Sequence, residues 1–152
     1  RAGQVGDACI GLIGGFLVAL GFSSAGPCSY ERIGLGTAYG DLMAALASAD
    51  RDYPLWALST QDMLWTGYSG AGSGSIGISA FPSMHVASAT LFALYASRRS
   101  IAVGTALWLF AAVIMVGSVV LGWHYAVDGY AGALIALAMW KAVGSLLARR
   151  AL

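Results

Sequence analysis

The chain has 152 residues, 59% hydrophobic and only 10% charged, with eight Lys and Arg against seven Asp and Glu. A soluble domain usually carries about a quarter charged residues, so these few side chains cannot cover a wholly buried helical core of this length. The net charge of +1, with no basic patch interleaved with aromatics, gives no footing for a nucleic-acid partner.

Residues 8–30, 63–97 and 100–127 contain no Asp, Glu, Lys or Arg, and residues 129–148 contain only Lys141. Uncharged apolar runs of about 18 residues or more can cross a bilayer, and a lysine near a helix end can snorkel to the surface. The expected fold is therefore all-α: an integral membrane helical bundle of about four transmembrane helices with a partly helical outer segment. Three segments follow. Residues 1–26 hold the first transmembrane helix, 27–79 an extracytoplasmic cap with a Gly/Ser-rich loop, and 80–152 a catalytic three-helix core.

In chain order, a first span over residues 8–22 stops at Ser23-Ser24-Ala25-Gly26-Pro27, a turn signal. Cys9 and Cys28 would lie about 28 Å apart on such a helix, beyond disulfide reach. Helices are predicted over 39–49 and, with Pro54 near its first turn, over 53–64. Trp56, Trp65 and Tyr68 suit a water–lipid boundary. The run from Ser69 to Ser75 is a flexible connector by composition, and no Gly-Lys-Ser follows to make it a phosphate loop. Pro82 is expected to open a helix running to Ser97, followed by helices over 101–122 and 126–147.

Arg1, Arg98, Arg99, Arg149 and Arg150 fall at one side of such a bundle, while the outer segment is net acidic. The positive-inside tendency then makes the basic side and both termini cytoplasmic. The chain begins at Arg1 without an initiator methionine or signal-peptide pattern, as expected of a fragment of a longer protein.

The chemistry concentrates at the only two histidines. His85 follows Phe81-Pro82-Ser83-Met84, and His124 sits in Gly122-Trp123-His124-Tyr125-Ala126-Val127-Asp128. Each stands where an apolar run meets a turn, and titratable groups beside hydrocarbon are costly unless they serve a function. In the opening turn of its helix, His85 lies near unpaired N–H groups and the positive helix end. A second helix opening near Asp128 would bring another N-terminus to the same level, a receptacle for phosphate. His124 and Asp128, four apart, share a face or meet across a turn. A carboxylate on one imidazole nitrogen would fix the tautomer and leave the other to attack an electrophile. The second histidine can protonate a leaving oxygen.

These residues resemble a known family. Phe81-Pro82-Ser83-Met84-His85, followed after a span by the stretch from Gly117 to Gly132, is similar to the type 2 phosphatidic acid phosphatase superfamily. More narrowly, it resembles the branch of inositol phosphorylceramide synthases and their bacterial relatives. The resemblance implies an outward-facing site in a bacterial inner membrane, a lipid substrate with a phosphate or phosphodiester head group, and no cofactor or metal. It implies His124 as the nucleophile that becomes phosphohistidine, Asp128 as the group that orients it, and His85 as the acid. Ser83 is implied as phosphate-binding, and Ser118 is expected to bind phosphate beside it. Members of the family commonly have about six spans, two of which would precede Arg1.

The wider superfamily carries Lys-x6-Arg-Pro upstream and an Arg after the Ser of its last motif. Neither is present, and Gly117-Ser118 stands in the place of Ser-Arg. Helix N-termini, Ser83, Ser118 and Arg32 are the candidates to replace those cations. Three other readings use the same residues: a metal site built from two His and one Asp, a serine hydrolase without a Gly-x-Ser-x-Gly elbow, and a non-catalytic lipid-binding bundle.

Overall fold

A computed structural model describes Gly21 and residues 24–70 and 79–150, with side chains to Leu146. The expected first span, most of the Gly/Ser connector and the last two residues lie outside the described part. The described residues form helices and connecting turns only: α1 (Pro27–Tyr30), α2 (Gly40–Asp52), α3 (Trp56–Tyr68), α4 (Met84–Ser97), α5 (Ile101–Val120) and α6 (Ala126–Arg150).

The helix starts follow local chemistry. Ser83 and Ser100 cap α4 and α5 by accepting from the N–H groups of Val86 and Val103, which satisfies one of the orphan donors at each helix start. Pro82 was expected as the first helical residue, yet α4 opens at Met84. The reason is that the Ser83 N–H donates to the carbonyl of Asp128 at 2.9 Å, holding Ser83 in an extended conformation outside the helix. Likewise Pro54 precedes α3, whose approach is fixed by the carboxylate of Asp50 accepting from the Leu55 N–H.

Helix α4 is the centre of the bundle, packed along α5 and against α6. Its buried residues are small, Ala87, Ala89, Thr90, Ala93 and Ala96 among them, and α5 meets it with Gly104, Ala111 and Ser118. These three recur every seventh position, one stripe of a helix, and let the two backbones approach closely. A Cβ on Gly104 would lie 2.5 Å from Ser97 Oγ and 2.7 Å from Ser97 Cα. The opposite face of α5 is exposed and apolar, with Leu109, Phe110, Val113 and Val116 outward.

Segments Ile101–Val120 and Ala126–Leu146 are long and apolar enough to cross a membrane, and only 17% and 22% of them are buried within the protein. A soluble core helix would show the reverse. Helix α4 is apolar but only 14 residues long.

The segment from α1 to α3 sits on the turn between α5 and α6. Cys28 N–H donates to Gly122 O at 2.9 Å, and Gln61 Nε2 to Leu121 O at 2.8 Å. Gly122 adopts φ +73, a conformation that glycine reaches without steric cost, and this turns the chain out of α5. Tyr39 packs between Tyr30 and Tyr125, with ring centroids 5.2 and 5.6 Å away.

The close α4–α5 contact predicts that Gly104→Val, by overpacking, costs about 1–3 kcal/mol. Thermal unfolding of the detergent-solubilised protein should show it as a lowered Tm, with no such loss in Gly144→Ala, where an added Cβ meets nothing within 4 Å.

Candidate functional site

The α5–α6 turn and the start of α4 together bring His85 and His124 to one place. After Gly122 the chain folds back over the end of α5, and the carbonyl of Ser118 accepts from the N–H groups of Trp123 at 2.9 Å and His124 at 3.2 Å. His124 is thus drawn under the rim of the bundle and is 6% exposed. The two imidazoles stand 6.0 Å apart between ring centroids, inclined by 59°. His85, the second residue of α4, is exposed. Beneath them the three helices of the core meet: Met115 of α5 and Val86 of α4 both abut Gly129 of α6, while Gly132 lets α6 lie against the carbonyl of Ser83.

The nucleophile-type geometry differs in one respect from the sequence expectation. Nδ1 of His124 lies 2.7 Å from the carbonyl oxygen of Ala80 and 3.9 Å from Asp128 Oδ2. A carbonyl only accepts, so Nδ1 carries the proton and Nε2 has the free lone pair. The backbone of Ala80 therefore does what the carboxylate was expected to do. The Ala80 N–H in turn donates to Ser24 O at 2.7 Å, so the backbone of one residue bridges the end of the first segment to the imidazole. Asp128, 2% exposed, directs Oδ2 to the N–H of Tyr125 at 2.8 Å. It is the third residue of α6 and satisfies the donor just before that helix, as an acidic side chain does in a capping box. Its charge still stands near the ring.

Ser83 is fully buried. Its hydroxyl accepts from Val86 N at 3.4 Å, keeping its own proton free to donate. Ser118 is placed differently: its hydroxyl donates to Met115 O at 2.9 Å within α5, and its carbonyl holds the His124 turn. Arg32 is committed elsewhere. It pairs with Asp62, lies over the Trp65 ring at 5.7 Å, and lines a cavity of about 240 Å³ with Cys28, Glu31, Tyr39 and Met43 that includes neither histidine. The starts of α4 and α6 lie beside the histidines, and helix first-turn amides, which lack intrahelical acceptors, carry a positive partial charge. Among the described residues no three of His, Cys, Asp and Glu are grouped to hold a metal ion.

The described residues thus form an all-helical bundle in which two histidines and an aspartate stand together at the starts of two helices. The chain matches the family model of the PAP2 superfamily over residues 7–142 and belongs to that superfamily, whose members are generally phosphatases and phosphotransferases acting on phosphate-containing substrates. No curated protein and no solved structure matches it.

Burial pushes the pKa of His124 below the ordinary histidine value of 6.5, against the opposing pull of the Ala80 carbonyl and the Asp128 charge. A lowered pKa keeps the neutral, nucleophilic ring at more acidic pH. An NMR titration of the two histidine side chains, assigned with His85→Gln, should place the His124 midpoint below 6.5.

Proposed function

We propose that this protein is an integral membrane phosphotransferase or phosphatase that takes a phosphoryl or phosphodiester group from a lipid onto His124. The observation that carries the reading is the pair of imidazoles 6.0 Å apart, one buried with Nδ1 held by a carbonyl, the other exposed in the first turn of α4. Two imidazoles this close can act on one phosphorus centre and its leaving oxygen, and fixing reactants near one another removes much of the entropic barrier.

Nε2 of His124 attacks phosphorus. The P–N bond forms as the P–O bond to the leaving alcohol breaks, and His85 gives a proton to the departing oxygen. An acceptor hydroxyl then attacks the phosphohistidine, passing its proton to His85, and breakage of the P–N bond restores His124. The Asp128 carboxylate, 3.9 Å from Nδ1, stabilises the positive ring formed between the steps. The Ser83 hydroxyl and the first-turn amides of α4 bind the phosphate oxygens. Ser118 contributes by holding the His124 turn.

The bilayer and a lipid carrying a phosphate or phosphodiester head group are the partners. With the N-terminal span, α4, α5 and α6 crossing, the site faces outward from a bacterial inner membrane and both chain ends are cytoplasmic. Within the superfamily we favour headgroup transfer of the inositol phosphorylceramide synthase kind, because the cationic phosphate ligands of the wider family are absent. Depth supports an apolar acceptor. Helix α4 rises about 21 Å and α5 about 30 Å, and α4 begins beside Met115 rather than at the end of α5. The reacting phosphorus would thus sit below the rim. Transfer to water, making the protein a lipid phosphate phosphatase, is the alternative.

Lipid products analysed by mass spectrometry decide between them, with the full-length protein given phosphatidylinositol, a ceramide or diacylglycerol acceptor, and a simple lipid phosphate. A new phosphodiester lipid identifies a transferase, and dephosphorylated lipid alone a phosphatase. Either product should vanish in His124→Ala and fall by about 10²–10⁴ in His85→Ala. Asp128→Asn should fall less than His124→Ala, because Ala80 still fixes the tautomer. Unchanged product in His124→Ala would contradict the mechanism.

A further inference from the structure

We propose that α3 lies in the water–lipid boundary on the membrane face that carries the histidines, with Trp56 and Met63 in contact with lipid. The inference rests on α5 being a membrane span, as proposed above, and on four features of α3.

The first feature is its level. Gln61, buried on the inner side of α3, donates to the carbonyl of Leu121, the residue directly after the apolar α5 helix ends at Val120. The hydrocarbon stops there, so α3 is tied to the depth at which a membrane surface begins. Its outward side is the second feature. Trp56 is 87% exposed and Met63, two turns along, 59%, with Tyr53 and Tyr68 exposed at either end. Aromatic side chains with a polar edge favour the headgroup level.

The third feature concerns its hydroxyls. Ser59 and Thr60 both donate to the carbonyl of Trp56, Thr66 to that of Asp62 and Ser69 to that of Thr66. Each of these hydroxyl hydrogens is therefore satisfied without water, which lowers the cost of placing them against lipid. Charge is the fourth. Asp62, the only ionised residue of α3, is paired with Arg32, whose guanidinium also covers the Trp65 ring. Helix α2 contrasts with this, carrying Asp41, Asp50, Arg51 and Asp52 as a water-facing element would. The outer segment thus divides into a wet helix and a lipid-facing one, and the lipid-facing one is bonded to the turn that holds His124.

The test uses the full chain in phosphatidylcholine liposomes containing lipids brominated either near the carbonyl end or near the methyl end of the acyl chain. Trp56→Phe and Trp108→Phe each remove one component from the tryptophan emission, which difference spectra isolate. Trp108, exposed in the central part of α5, reports on the spanning reading alone. The expected result is that the Trp56 component is quenched by the shallow bromines and little by the deep ones, while the Trp108 component is quenched by the deep bromines. A Trp56 component quenched only by aqueous iodide, or by neither agent because another protein copy covers it, would overturn the proposal while Trp108 still reports a span. Loss of deep quenching at Trp108 would remove the spanning premise instead.

Discussion

The N–H of Ser83 donates to the carbonyl of Asp128, and the carbonyl of Ala80 holds Nδ1 of His124. These two contacts of the backbone before α4 join it to the start of α6 and to the α5–α6 turn, and the geometry of the site depends on both. Parallel helix starts carry like partial charges and would be held together at some cost. Small residues on the facing sides of α4, α5 and α6 supply the close packing that offsets it. Asp128 in the first turn of α6 adds a compensating negative charge. A phosphate oxygen placed over the same two helix starts would complete that compensation, so the site is electrostatically unfinished in a way that suits an anion.

In the proposed mechanism, this arrangement stabilises a phosphoryl group without the cationic ligands expected from the resemblance to the wider PAP2 superfamily. Arg32, the cation considered in the sequence as a replacement, is paired with Asp62 and lies over the Trp65 ring. What remains is dipolar: backbone N–H groups, the Ser83 hydroxyl and the histidines themselves. Fixed dipoles gain strength where water is scarce, and His124 is buried beneath the rim. Weak cationic binding combined with a recessed nucleophile suits a diester head group, which carries less charge than a phosphate monoester.

Much of the fold was legible because charge is so scarce that its rare positions mark helix ends. The three core helices appear within a few residues of where uncharged runs and turn signals put them, whereas α1, only four residues long, left no periodicity to read. The candidate site residues were legible for a related reason, since His85, His124, Asp128 and Ser83 are polar groups at the edges of apolar runs, and the structure gathers them. Three things escaped. The Ala80 carbonyl has no residue-type signature, because any residue would supply it. The Ser118 hydroxyl is consumed by Met115 one turn back, a choice that spacing does not reveal. The partner of Arg32 lies thirty residues along the chain, and only the fold brings α3 beside α1.

The central claim is a covalent phosphohistidine on one named ring nitrogen. Rapid quenching of the full-length protein with a lipid substrate labelled at phosphorus, followed by peptide mass spectrometry, tests it most directly. The account predicts an acid-labile, base-stable label on the peptide containing His124, attached through Nε2, and absent from His124→Ala. Turnover with the label never found on protein, or found on His85 instead, would contradict it.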